Sequence, residues 1–205
     1  MSLMPIFVKL EGRLVVVVGG GAIAEEKLSA LIAAGAKIRI VAPQVTSGIE
    51  QIVCQGKAEW YAKEFAPADL EGAFLVIAAT SAPGVNEAVY REAEARGILC
   101  NAVDDIDHCH FYYGSVVQRG DLQIAISTNG KSPALAQRLR LQLEKQFGPE
   151  YESWLEWLGT ARQLVRAGQD SAEAKKILLH HLAGQPMFER FVQESRGEKP
   201  QQGGA

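Results

Sequence analysis

The chain has 205 residues, 47% of them hydrophobic, a size that suits one α/β domain with a smaller companion. A net charge of −3 gives no electrostatic reason to expect nucleic acid as a partner. No apolar run approaches the roughly 20 residues of a membrane span, and the N-terminus lacks the features of a signal peptide. Three cysteines without a CxxC motif are typical of a reducing compartment. We therefore expect a cytoplasmic protein that binds neither nucleic acid nor membrane.

The first half of the sequence alternates predicted strands with predicted helices. The strands are an edge strand at Ile6–Val8, then Arg13–Val18, Lys37–Val41, Ala58–Tyr61, Ala73–Ala78 and Ile98–Ala102. The helices are Glu25–Ala34, Ser47–Gln55 and Val85–Arg96. Apolar strands that alternate with helices predict βαβ units and a parallel sheet covered on both faces. The predicted fold class is therefore α/β, with a Rossmann-like doubly wound parallel sheet.

The pattern changes after about residue 112. Two short apolar runs flank Arg119-Gly120-Asp121, which predicts a β-hairpin with strands Tyr113–Gln118 and Leu122–Ser127. Ser132 is an expected N-cap for a helix over Pro133–Phe147. The later helices are predicted at Tyr151–Arg166, Ala172–Leu182 and Met187–Glu194. We therefore divide the chain into a Rossmann-like domain (1–112), a small β/α section (113–149), a helical C-terminal domain (150–195) and a disordered tail (196–205).

A glycine-rich turn separates the first buried strand from the first helix. Gly19-x-Gly21-x-x-Ala24 matches the GxGxxG/A fingerprint, in which a strand precedes and a helix follows. The helix N-terminus would offer N–H donors to a pyrophosphate, which predicts a dinucleotide site. The alternative is a tight turn that binds nothing. The acidic residue expected after the second strand is absent, because Pro43 and Gln44 stand there, so the choice between NAD and NADP stays open.

Two further segments lie where ligands bind, beyond the carboxyl ends of the predicted strands. Thr80 follows the fourth strand and is a candidate to contact the cofactor. Asp104 follows the fifth strand, where a carboxylate can act as general acid or base; composition alone favours the alternative that it caps a turn. His108, Cys109 and His110 suggest a metal constellation, but no second cluster accompanies them. We expect no resident structural metal.

Several separated motifs together resemble the precorrin-2 dehydrogenase/sirohydrochlorin ferrochelatase family, which includes the N-terminal region of sirohaem synthase. The motifs are "MPIFVKL", "VVVVGGGAIAEEK", "AATSAPGVN", "NAVDD" and "ISTNGKSPALAQRLR". The resemblance implies NAD-dependent oxidation of the tetrapyrrole precorrin-2 to sirohydrochlorin, and some members also insert Fe²⁺. It also implies a homodimer whose dimerisation section is residues 113–149. A fused methyltransferase domain, present in some relatives, is not expected within these 205 residues.

The resemblance also implies roles for individual residues. Asp104 matches the family's catalytic aspartate, and the cofactor-binding positions are Gly19, Gly21, Ala22, Ile23, Pro43, Gln44 and Thr80. A substrate with eight carboxylates needs basic partners, for which we select Lys131, Ser132 at a helix N-terminus, and Arg138, with Arg119 and Arg140 as further candidates. The chain departs from the family pattern at Glu26-Lys27 and at "IDHCHF". A chelatase without redox activity and a non-enzymatic NAD-sensing module remain as alternative functions.

Overall fold

The computed structural model describes residues 3–197 and divides into two compact units, one through Tyr113 and one from Gly114. The first unit contains a five-stranded parallel sheet in the order β3-β2-β1-β4-β5. Its elements are β1 (Leu14–Val18), α1 (Ala22–Ala33), β2 (Lys37–Val41), α2 (Ser47–Cys54), β3 (Glu59–Tyr61), β4 (Leu75–Ala78), α3 (Val85–Ala95) and β5 (Leu99–Ala102). The prediction of an α/β doubly wound fold is confirmed, with strand and helix ends within three residues of those expected.

The central strand β1 explains why this sheet needs helices on both faces. Val15 and Val17 point to one side, into a core that contains Leu28 of α1 and Ile49 of α2. Val16 and Val18 point to the other side, together with Val89 of α3. Successive strand side chains alternate between faces, and each buried valine contributes about 1.5–3 kcal/mol. A run of apolar residues without polar alternation therefore produces a strand that is covered twice.

The predicted edge strand at Ile6–Val8 is wrong. These residues lie outside regular structure. Ile6 is 60% and Phe7 70% exposed. Apolar β-branched character alone does not form a strand, because a strand also needs a hydrogen-bonded neighbour. In the first unit, the sheet has β3 and β5 at its two edges instead.

Over its described residues, 114–197, the second unit combines a hairpin with four helices. Its elements are β6 (Ser115–Arg119), β7 (Leu122–Ile126), α4 (Pro133–Gln146), α5 (Glu150–Ala167), α6 (Ala172–Leu182) and α7 (Gln185–Ser195). The strands pair antiparallel, as predicted. An aromatic cluster packs α5 against α7 around Trp154, which is 5% exposed and whose ring centroid lies 5.1 Å from that of Phe191. The further division of this unit at residue 150 stays a prediction.

The structure bears on the expected absence of a membrane span and on the predicted disordered tail. No helix within residues 3–197 is long and apolar enough to cross a membrane. Arg196 and Gly197, at the start of the predicted tail, close α7 through backbone hydrogen bonds. The rest of that tail, residues 198–205, lies outside the described residues.

Candidate functional site

The three consecutive glycines after β1 have three different surroundings. Gly19 has a φ of +125°, and a Cβ there would lie 2.2 Å from the carbonyl oxygen of Ala79. A Cβ at Gly20 would lie 2.0 Å from the carbonyl oxygen of Gln44. A Cβ at Gly21 would meet no protein atom within 4 Å. Gly19 and Gly20 are therefore required by the neighbouring loops, whereas nothing in the described chain requires a glycine at Gly21.

Open space at Gly21 lies directly at the start of α1. Gly21 is the N-cap and offers no side-chain cap, so the first amides of the helix lack an acceptor. Ala22 is exposed, and Ile23 is 45% exposed, so a ligand can reach this turn. Bare backbone with free N–H groups at the positive end of a helix fits a pyrophosphate. The residues present therefore fit the dinucleotide that the fingerprint predicts.

The loop after β2 is fastened to the glycine turn. The backbone N–H of Gly19 donates to the Val41 carbonyl at 3.0 Å, and that of Thr46 donates to the Gly20 carbonyl at 2.9 Å. Pro43 and Gln44 are exposed between these two bonds. The structure thus brings both predicted cofactor residues beside the glycine turn. The run of three glycines predicts a turn at Gly20 that a side chain would obstruct, and this is confirmed. Sequence reasoning did not single out Thr46.

The loop after β4 forms the other side of the glycine turn. Thr80 is held by Asn86, whose Oδ1 accepts from the Thr80 backbone N–H at 3.2 Å and whose Nδ2 donates to the Thr80 carbonyl at 3.1 Å. The Thr80 hydroxyl accepts from the Ala82 N–H at 3.0 Å. Asn86 therefore fixes the predicted cofactor residue; it is the last residue of the "AATSAPGVN" motif, which did not reveal this contact.

Asp104 ends the same edge of the sheet. Ala102 of β5 pairs in register with Ala78 of β4, so the segments after the two strands begin at one level. Asp104 has a φ of +62° and is exposed. Aspartate tolerates this left-handed conformation better than most residues, which are strained there. The carboxylate is therefore presented to solvent at the edge that carries the glycine turn and Thr80.

The segment after Asp104 folds back along β5. The backbone N–H of His110 donates to the Cys100 carbonyl at 2.8 Å, and the Cys100 N–H donates to Nδ1 of His110 at 3.0 Å. Asn101 forms a bridge with Cys109, and its Nδ2 donates to the Phe111 carbonyl at 2.9 Å. These contacts cover the open edge of the sheet, which explains the "IDHCHF" departure.

The two histidines and the cysteine of this segment have separate partners in the structure. His108 Nδ1 lies 2.6 Å from Asp105 Oδ2, whereas His110 Nδ1 serves the backbone of Cys100. Burial raises the pKa of the Cys109 thiol, which opposes formation of the thiolate that a metal requires. Across residues 3–197, no three His, Cys, Asp or Glu side chains are placed to hold a metal ion.

The predicted substrate residues lie in the second unit. Lys131 and Arg138 are exposed, and neither forms an ion pair with a described residue. Ser132 is the N-cap of α4 and accepts from the Leu135 N–H at 3.2 Å. Among the further candidates, Arg140 pairs with Glu144.

Arg119, a further candidate to bind substrate carboxylates, is engaged within the fold. It donates to the carbonyl oxygens of Phe147, Glu144 and Gln118, so its guanidinium ties β6 to the end of α4. The structure therefore leaves Lys131 and Arg138 as the available cations of the original set.

The fold and the glycine turn define a dinucleotide-binding protein of the doubly wound α/β class. The chain belongs to the family described as "Putative NAD(P)-binding", whose model matches residues 6–115. A second family model, "Sirohaem biosynthesis protein central", matches residues 119–146.

Relatives and solved structures agree with the resemblance seen in the motifs. The "Siroheme synthase" of Photorhabdus laumondii subsp. laumondii is 47% identical over 166 residues, which are 81% of this chain and 35% of that protein. "Siroheme synthase 1" of Serratia proteamaculans is 40% identical over 82% of this chain and 36% of that protein. The chain thus spans about a third of the curated relatives it matches. The structure of SirC, a precorrin-2 dehydrogenase, is 27% identical with a TM-score of 0.78, covering 95% of this chain and 100% of that one.

Proposed function

We propose that this chain binds NAD and catalyses the oxidation of precorrin-2 to sirohydrochlorin. The observation that carries the proposal is the open glycine turn at Gly21, which shares one sheet edge with the exposed carboxylate of Asp104. The similarity to SirC over nearly the whole chain supports the same reading, since that protein is a precorrin-2 dehydrogenase. The similarity to sirohaem synthases also supports a role in sirohaem synthesis.

The coenzyme is held by backbone more than by side chains. Gly19, Gly21, Ala22 and Ile23 offer the turn and the helix N-terminus to the pyrophosphate. Pro43 and Gln44 belong to the loop after β2 and Thr80 to the loop after β4, and hydrogen bonds hold both loops beside this turn. NAD, when bound, supplies the hydride acceptor of the reaction.

Asp104 is the general base that accepts the proton released by the substrate. Oxidation of precorrin-2 removes a hydride and a proton, and the carboxylate of Asp104 accepts that proton. An exposed carboxylate on a rigid turn at the carboxyl edge of the sheet can then return the proton to water. The role requires a group near the reacting carbon, and Asp104 follows β5, the strand next to β4, whose following loop contains Thr80.

Lys131 and Arg138 bind carboxylates of the tetrapyrrole. Both side chains are exposed and unpaired among the described residues, whereas Arg119 and Arg140 are engaged. At the start of α4, Pro133 has no N–H and Ser132 accepts from Leu135 and Ala136, which leaves the N–H of Ala134 to receive a carboxylate.

The proposal includes a homodimer in a reducing cytoplasm. Val116 on β6 and Leu135 and Leu141 on α4 are 42%, 38% and 47% exposed, which suits a surface covered by a second copy. All three cysteines are free thiols, which suits a reducing compartment. Sedimentation of the purified chain as a monomer at micromolar concentration would contradict the dimer.

A paired assay on one purified sample tests the function. Precorrin-2 and NAD are mixed with the protein, and NADH and sirohydrochlorin are expected to appear together in equal amounts. Fe²⁺ is then added as a second substrate, because the sirohaem synthase relatives suggest metal insertion as a further activity. Metal insertion that proceeds equally well when NAD is left out would support a chelatase without redox activity. Coenzyme binding without turnover would support a sensing module.

A further inference from the structure

The carboxylate of Glu25 lies against the loop that follows β2. Glu25 belongs to the first turn of α1 and is half-buried. Its Oε2 accepts a hydrogen bond from the Thr46 hydroxyl at 2.5 Å. A Cβ at Gly48 would lie 2.0 Å from its Oε1, so Gly48 is the residue that leaves room for the carboxylate. The carboxylate is therefore held from two sides at the start of α2.

This loop is where dinucleotide-binding folds carry the acidic residue that selects the ribose. The fingerprint expects Asp or Glu near the end of the second strand, but the segment from Val41 to Gly48 contains no acidic residue. It contains no Lys or Arg either. Arg39 within β2 donates to the Asp69 carbonyl at 2.9 Å and lies over the ring of Tyr61, so it is engaged elsewhere. The loop itself offers no charge with which to tell a hydroxyl from a phosphate.

A carboxylate does reach this loop from a neighbouring helix, because Glu25 of α1 accepts from Thr46 and lies against Gly48. Thr46 connects the two parts of the site: its hydroxyl donates to Glu25, while its backbone N–H donates to the Gly20 carbonyl in the glycine turn. We infer that Glu25, held by Thr46 and Gly48, positions the Gln44 loop and disfavours the 2′-phosphate of NADP, so that it is a specificity-determining residue for the coenzyme. The inference rests on the proposed function, since it presumes that a nicotinamide coenzyme binds here.

A purely structural role makes a different prediction. If Glu25 only braced the loop, its loss would weaken both coenzymes alike and leave their affinity ratio unchanged. A carboxylate near the ribose instead acts on the dianionic 2′-phosphate by like-charge repulsion, which the 2′-hydroxyl does not experience. The ratio of NAD to NADP affinity therefore separates the two roles.

The test measures NAD and NADP dissociation constants by calorimetry on the wild type, Glu25→Gln and Glu26→Gln. Glu26 is the matched control, because it is on the same turn of α1 but has a 73% exposed side chain paired with Lys27. In Glu25→Gln the preference for NAD should fall by about tenfold, equivalent to about 1.4 kcal/mol. In Glu26→Gln it should stay at the wild-type value. An unchanged ratio in Glu25→Gln would overturn the inference.

The positioning role has its own pair of variants. Thr46→Val removes the hydroxyl and should weaken both coenzymes by the same factor, whereas Thr46→Ser keeps the hydroxyl and should restore both affinities. Equal binding by Thr46→Val and wild type would refute the positioning role. If Glu25→Gln does not fold, the wild type still tests the charge, because salt screens repulsion: its preference for NAD should diminish with rising ionic strength. A wild type that binds neither coenzyme would instead refute the proposed function itself.

Discussion

The two units present their candidate residues in opposite ways. In the first unit, each loop at the carboxyl edge of the sheet is fixed by its own contacts, such as Thr46 to Gly20 and Asn86 to Thr80. In the second unit, the selected cations Lys131 and Arg138 are exposed and without an ion pair among the described residues. A rigid site loses little conformational entropy when a ligand binds, whereas free cations act mainly through charge. We therefore propose that the coenzyme site is preformed and that substrate contacts depend on electrostatics.

The largest effect is expected at Asp104. Asp104→Asn removes the proton acceptor, while asparagine tolerates the left-handed backbone. kcat for NADH formation should fall by about 10²–10⁴-fold, with the NAD dissociation constant unchanged. Asp107→Asn, an exposed neighbour three residues on, is the control and should retain wild-type turnover. Equal losses of kcat in both variants would contradict the role of Asp104.

The preformed coenzyme site can be broken in two distinguishable ways. Gly20→Ala forces a Cβ into the Gln44 carbonyl and should lower the free energy of unfolding by about 3 kcal/mol. Gly21→Ala meets open space, so its unfolding free energy should change by less than about 1 kcal/mol. Its NAD affinity should nevertheless fall by about tenfold or more.

Urea unfolding and calorimetry on the two glycine variants check this contrast. A Gly21→Ala protein that binds NAD like the wild type would show that the open turn does not receive the coenzyme. A Gly20→Ala protein of wild-type stability would show that the loop after β2 is not fixed against the turn.

The free cations of the second unit should act on substrate binding alone. Lys131→Ala and Arg138→Ala should each raise KM for precorrin-2 by about threefold to tenfold without lowering kcat. The wild-type KM should also rise with salt, because exposed charges are screened. Arg140→Gln is the matched control on α4: Arg140 already pairs with Glu144, so its loss should matter less. A larger effect in Arg140→Gln would reverse the assignment.

The sheet could be predicted from the sequence more completely than the loops that surround it. Strands such as β1 were predictable because burial on both faces requires an unbroken apolar run. Gly19 and Gly21 were predictable because the fingerprint describes a local turn. Gly20 was predictable as part of that turn, but its contact with the Gln44 carbonyl was not, because no local pattern encodes a contact across 24 residues of chain.

The same limit explains the other differences. Arg119 looked like a free cation, but the carbonyl oxygens that hold it come from the end of α4, which only the folded chain brings near. The apolar Ile6–Val8 segment looked like a strand, since sequence shows propensity but not the presence of a partner. The site residues themselves stay predictions that the variants above test.

A last prediction tests whether the β5 edge is as rigid as its contacts indicate. Burial raises the pKa of the Cys100 thiol from 9.0 to about 12. Between these values the unfolded thiol loses its proton while the folded thiol keeps it, so the stabilisation is complete below pH 9 and is lost as the pH rises toward 12. At pH 10 the wild type should have lost about 1.4 kcal/mol more unfolding free energy than Cys100→Ala, relative to neutral pH. Cys54→Ala, at an exposed thiol, should follow the wild type. Parallel pH profiles for Cys100→Ala and wild type would mean that water reaches β5 and that the fold-back segment opens.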